Sequence, residues 1–194
     1  AGDGTGDSSA EGIAPGAYIV AYALEHNPTG IFGRIGSIYD MLNHAEQEGS
    51  RVAVNAWGLN GNYGAYTADS RSVDVFVSDN PEFLPIFSAG DDPSQNSSSV
   101  MAPSTAKNVL SVGASTTNPS GSVANFSSLG PSLDGRVKPD IVAPGVAICS
   151  GRAEEAAIPV GTSCGSGTHA NGNAMYMSLS GSSQATAVAG GSVS

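Results

Sequence analysis

Ser183 stands in the run Ser180-Gly181-Ser182-Ser183-Gln184-Ala185-Thr186-Ala187-Val188-Ala189-Gly190, a collar of small residues around a serine with a helix start directly after it. A serine in the first turn of a helix lies where unpaired backbone N–H groups and the positive end of the helix dipole can stabilise a developing oxyanion. Gly181 and Ala185 leave room for a substrate backbone beside it. These features suit a nucleophile, and they equally suit a helix cap, because serine is a preferred N-cap residue. This segment alone leaves both readings open.

Further segments narrow the choice. Lys138-Pro139-Asp140 and Ala143-Pro144-Gly145 precede the serine, and Gly12-Ile13-Ala14-Pro15, Ala17-Tyr18-Ile19-Val20 and Val54-Asn55-Ala56-Trp57-Gly58 lie before them. Between these groups come Phe87-Ser88-Ala89-Gly90-Asp91, Ala102-Pro103-Ser104-Thr105-Ala106-Lys107-Asn108 and Phe126-Ser127-Ser128-Leu129-Gly130-Pro131. In this order the segments resemble the subtilisin-like serine proteases across nearly the whole chain. The family's corresponding patterns are G-x-A-P, N-S-W-G, A-A-G-N, K-P-D, A-P-G and G-T-S-M-A-T-P. Tyr63-Gly64-Ala65-Tyr66-Thr67 and Asp69-Ser70-Arg71 look closest to the family's alkaline, oxidation-resistant branch.

The resemblance implies a three-layer α/β fold with a mainly parallel central sheet, an endopeptidase acting on polypeptide, and no cofactor. It casts Ser183 as the nucleophile. It makes Ala56-Trp57-Gly58 and Ser88-Ala89-Gly90 the two walls of the pocket for the side chain before the scissile bond, with extended substrate adding main-chain hydrogen bonds like an extra strand. Asp91 stands where the family has an asparagine that donates to the oxyanion, and an ionised carboxylate cannot donate. Ser182 replaces a threonine, Gln184 a methionine and Ala187 a proline.

In subtilisins the triad runs Asp, His, Ser along the chain, and the first two precede the G-x-A-P strand. The chain opens almost at that strand, so the expectation is a partial catalytic domain over residues 1–194, truncated at the N-terminus, with residues 1 to 11 as the loop after the histidine-bearing helix. Asp3-Gly4-Thr5-Gly6 is too close to Gly12 to leave room for that helix. His26, His44 and His169 read as surface histidines. The resulting expectation is a nucleophile-bearing portion that is inactive alone. The alternative is a catalytically silent subtilase-like domain serving binding or assembly.

Composition sets the outer bounds. The chain has 194 residues, 26 glycines, 12% charged residues and a formal net charge of −10, which suits one domain and disfavours nucleic acid or an anionic membrane as partner. No apolar run reaches the 18 or so residues of a membrane span. Cys149 and Cys164, the chain's only cysteines, flank a Gly-rich excursion. A bridge there would close a loop of about 15 residues and contribute about 3 kcal/mol. The pairing and the resemblance to secreted enzymes together point to an extracellular protein. Asp69, Asp74 and Asp79 read as solvated carboxylates rather than calcium ligands, so no metal is expected.

The elements that must hold these residues alternate in type. Residues 17–22, 52–55, 84–88, 109–112 and 140–143 are short, largely apolar runs of the kind buried in a parallel sheet. Ile35, Ile38, Tyr39, Leu42 and Ala45 recur at helical spacing and end at Glu48-Gly49. Val73, Phe76 and Val77 mark a second helix opened by Asp69 or Ser70. Residues 115–136 and 151–173 read as surface loops or short antiparallel excursions. The walls and the serine turn then meet at the carboxyl ends of the strands. The missing N-terminal segment and the tail that normally follows the serine helix are expected to leave apolar surface and an open strand edge, so that the partners are polypeptide substrate, the missing N-terminal segment or, by self-association, another copy of the chain.

Overall fold

A computed structural model describes residues 2–5, 7–26, 31–32, 36–92, 98–118, 121–154, 156, 164–172 and 174–194. In chain order the elements are β1 (Glu25–His26), β2 (Ile31–Phe32), α1 (Ile38–Gln47), β3 (Val52–Asn55), α2 (Ala68–Asp79), β4 (Leu84–Ser88), β5 (Leu110–Ser115), β6 (Ile141–Pro144), β7 (Ile148–Gly151), β8 (Tyr176–Leu179) and α3 (Ser182–Val193). Strands β3-β4-β5-β6 pair in that order, all parallel. Two short antiparallel pairs, β1-β2 and β7-β8, stand apart from them.

Strand alternation builds the layers. Along β4, Phe87 joins Ile38, Leu42, Val73 and Phe76 of α1 and α2 on one face. Its neighbour Ile86 joins Val112, Ala114, Ala185 and Ala189 on the other, against α3. Successive strand residues point to opposite faces, so one sheet has helices on both sides. The three-layer α/β expectation holds.

Local signals account for the helices. α1 opens with a capping box in which the Ser37 hydroxyl accepts from the Asp40 N–H and the Asp40 carboxylate accepts from the Ser37 N–H, and it stops before Gly49, whose φ of +87° favours glycine. α2 is capped by Thr67 accepting from the Ser70 N–H, not by Asp69 or Ser70 as the sequence suggested. Ile35 lies outside the described residues.

Two expectations need correction. Residues 17–22 form no strand: Tyr18, Ile19, Val20 and Tyr22 are exposed apolar side chains, and among the described residues no neighbouring strand takes up their backbone hydrogen bonds. They face β3 across a cleft of about 460 Å³ also lined by Val52–Asn55 and by α3 residues Ala187, Gly190 and Gly191. β3 pairs with β4 alone among the described strands. Second, Asp74 is not a solvated carboxylate. It is buried, accepting from the backbone N–H groups of Lys107 and Asn108 and from the Tyr66 hydroxyl, and thereby pins the loop after β4 onto α2. Asp79 takes the Tyr39 hydroxyl. Among the described residues no group of three His, Cys, Asp or Glu side chains could hold a metal ion.

Cys149 and Cys164 are joined in a disulfide, with Cα atoms 6.0 Å apart, that ties β7 to the excursion before β8. No helix among the described residues is long and apolar enough to cross a membrane.

Candidate active site

The carboxyl ends of β3 and β4 and the first turn of α3 meet at one cleft. Gly181 precedes α3 in an extended conformation and gives the helix no side-chain cap. The chain after β4 supplies one instead: Asp91 Oδ1 accepts the Ser182 N–H at 2.7 Å. The bond is returned, since the buried Ser182 hydroxyl accepts from the Gly90 N–H at 3.1 Å. A carboxylate at a helix N-terminus satisfies an orphan donor and complements the dipole. The two bonds fix the start of α3 against the β4 exit.

Ser183, one residue into the helix, donates its hydroxyl hydrogen to the Ala56 carbonyl at 2.8 Å, which ties it to the end of β3. The cleft, about 650 Å³, is lined by Trp57, Gly58, Tyr63, Asp91, Met101 and Ser183, with Asn60, Ser88, Gly90, Asp92 and Ser182 completing it. The structure thus gathers Ser183, Asp91, Trp57, Gly58, Ser88 and Gly90, and Ala56 adjoins through its carbonyl.

Ala89 is different. It is fully buried, its N–H donates to the Val112 carbonyl and its carbonyl accepts from Met101, so it supports the wall without facing the cleft. Trp57 serves two roles, stacking edge-to-face on Phe87 at 5.5 Å while lining the cleft. The Met101 side chain fills the space beside both Gly58 and Gly90, joined at Gly90 by the Ser128 hydroxyl, and Gly90 also has a φ of +110°. Tyr63, Asp92 and Met101 are cleft residues that the sequence reading did not assign. Asp92 adjoins Asp91, a signal that was legible, whereas nothing in the sequence places Met101 opposite two glycines.

Charge in the cleft is negative. Asp91 and Asp92 line it, and among the described residues no lysine, arginine or histidine does. A hydrogen bond to Asp92 raises the Tyr63 phenol above its ordinary value, with burial adding to it. The two histidines with described side chains are engaged elsewhere: His44 Nδ1 bonds the Tyr22 hydroxyl at 2.5 Å, and His169 Nε2 bonds the Arg152 carbonyl at 3.0 Å. The side chain of His26 lies outside the described residues.

Known proteins share this fold. The description of the Subtilase family matches residues 1–194. The serine protease/ABC transporter B family protein tagB of Dictyostelium discoideum is 29% identical over 94% of this chain, which spans 13% of that relative's length. Fervidolysin from Fervidobacterium pennivorans, a keratinolytic enzyme related to subtilisin, superposes with a TM-score of 0.63 at 26% identity, over 93% of this chain and 26% of its own. The prenylagaramide maturation protease PagA shares the fold, with a TM-score of 0.56 at 21% identity, over 79% of this chain and 46% of its own. With a match along its whole length, the chain belongs to the subtilase family of serine proteases.

Proposed function

We propose that residues 1–194 form the nucleophile-bearing part of a serine endopeptidase, in which Ser183 attacks the carbonyl of an extended polypeptide lying between the Trp57–Gly58 and Ser88–Asp91 walls. The observation that carries this reading is the placement of Ser183 in the first turn of α3, at the mouth of the cleft formed by both walls. Attack joins Ser183 Oγ to the carbonyl carbon and leaves a negative oxygen near the helix N-terminus, where N–H groups and the dipole favour it. The hydroxyl proton must leave at the same time. The Ala56 carbonyl that now receives it in a hydrogen bond is not a base, so the proton acceptor comes from a segment beyond the described side chains.

The apolar cleft between residues 17–22 and β3 supports a place for such a segment, because β3 offers an edge unpaired among the described strands and Tyr18, Ile19 and Val20 offer apolar surface. The same surface supports self-association when the cleft is unfilled. The disulfide favours an oxidising, extracellular setting, and Gln184 in place of an oxidisable methionine beside the nucleophile favours the oxidation-resistant branch of the family.

A second reading, a silent subtilase-like binding or assembly domain, draws on Asp91. At the position expected to donate to an oxyanion it accepts a hydrogen bond from Ser182. A fluorophosphonate probe separates the two readings. Labelling of Ser183 once a histidine-bearing segment is joined to the chain supports the protease, and an inert Ser183 in that joined protein supports the silent domain.

A further inference from the structure

One methionine fills the space left by two glycines on opposite walls of the cleft. A Cβ at Gly58 would stand 2.6 Å from Met101 Cε, and a Cβ at Gly90 would stand 2.7 Å from its Sδ and 2.8 Å from its Cγ. The backbone beneath is fixed, since the Met101 N–H donates to the Ala89 carbonyl at 2.8 Å. Met101 is partly exposed and lines the same cleft as Trp57 and Ser183. Its thioether is therefore the floor between the walls.

We propose that Met101 is an oxidative modification site, and that converting its thioether to the sulfoxide closes the cleft to an apolar substrate side chain. The proposal rests on the cleft being the substrate pocket. The oxidant is a peroxide. With hydrogen peroxide, the sulfur lone pair attacks one oxygen, the O–O bond breaks and an S–O bond forms; sulfur gives up two electrons, and the departing hydroxide takes the proton of the transferred oxygen and leaves as water. The product is larger and polar. Gly58 and Gly90 have no side chains that could move aside, so the added oxygen is directed into the cleft. There it shares the lining with the Asp91 and Asp92 carboxylates, which disfavour another negative oxygen beside them, and with Asn60, whose amide can donate to it; in both positions the oxygen occupies the cleft. Gln184, beside Ser183, cannot undergo this reaction. Met175 against Gly167 and Met177 in β8 lie apart from this floor; Met41 in α1 lines the other cleft, which Trp57 also borders, so the mass map must separate its oxidation from that of Met101.

The test uses hydrogen peroxide, peptide mass mapping and two readouts that need no turnover: the emission of Trp57, the only tryptophan in the sequence, and binding of a short peptide ending in leucine. In the parent protein, Met101 should be oxidised, Trp57 emission should shift and the peptide Kd should rise about tenfold or more, the cost of putting a polar group on an apolar floor. Met101→Leu keeps the volume and, compared with its own untreated state, should show neither change. Methionine sulfoxide reductase treatment of the oxidised parent should reverse both, a check that holds even if the variant folds poorly. The proposal is overturned if Met101 stays reduced while binding falls, if it oxidises with emission and binding unchanged, or if the leucine variant responds as the parent does. Should the peptide fail to bind the untreated protein, the pocket reading is at fault, and Trp57 emission together with the mass map still decides whether Met101 is the oxidised floor.

Discussion

Asp91 caps the helix that carries Ser183: its Oδ1 accepts the Ser182 N–H at 2.7 Å across a sequence separation of 91 residues. A residue expected to act on the oxyanion is thus also a structural joint between β4 and α3. The two roles separate by substitution. Asp91→Asn keeps an acceptor for Ser182 and presents an amide where the second carboxylate oxygen was, whereas Asp91→Ala leaves the N–H without its partner. Chemical denaturation should show the alanine variant less stable by about 1 kcal/mol, within the range of lost N-caps, and the asparagine variant close to the parent. Equal stability of all three would remove the cap from the account.

With a histidine-bearing segment joined to the chain, the same asparagine variant should hydrolyse peptides faster than the parent above neutral pH, by up to about 10²-fold, the worth of one oxyanion donor in a subtilisin. Initial rates on a common peptide substrate measure it. Identical rates would mean that Asp91 lies outside the oxyanion site or that backbone donors suffice.

Tyr66 titrates late. Burial and then its hydrogen bond to Asp74 push its phenol up to about 12. A folded pKa above the unfolded value means the stabilisation is present in full below about 10, the ordinary tyrosine value, and is lost as pH rises through about 12. Absorbance titration of phenolate should therefore lose its highest transition in Tyr66→Phe. The variant should also be less stable at neutral pH by about 1–2 kcal/mol, since Asp74 loses one of its donors. An unchanged titration curve would contradict the assignment.

Gly190 decides how closely α3 sits on β3. In an open helix, glycine to alanine gains about 1 kcal/mol, but here the added methyl runs into the Val54 side chain. Overpacking typically costs about 1–3 kcal/mol and should win. Thermal unfolding of Gly190→Ala should give a lower Tm than the parent, and a higher Tm would mean that the α3–β3 contact is looser than described.

Much of this was legible in the sequence, and the boundary is physical. β3 and β4 fall on the runs read as 52–55 and 84–88, because buried parallel strands are short and uniformly apolar. The apolar run at 17–22 has the same composition without being a strand, since strand formation depends on a neighbour and composition does not report one. The placement of Ser183 at the start of α3 was legible from the motif around it, and that of Asp91 in the same cleft from its position after Ala89-Gly90. The Asp91–Ser182 cap and the Met101 floor were not, because both join segments distant in the chain. Asp74 looked like one more surface acid on α2; only the fold brings the N–H groups of Lys107 and Asn108 to it.

Reduction of Cys149–Cys164 should lower stability by about 3 kcal/mol on the chain-entropy estimate for a loop of this length. Intact mass before and after reduction and alkylation, followed by denaturant titration of both forms, measures it. Two free thiols in unreduced protein would contradict the bridge.

The central claim is that Ser183 is the nucleophile. Fluorophosphonate labelling followed by peptide mapping tests it most directly, on the isolated chain and on a protein that joins residues 1–194 to a histidine-bearing segment. The account predicts slow labelling of the isolated chain and rapid, stoichiometric labelling of the joined protein at Ser183, lost in Ser183→Ala. A label on any other residue, or a joined protein that folds and remains unlabelled, would contradict it.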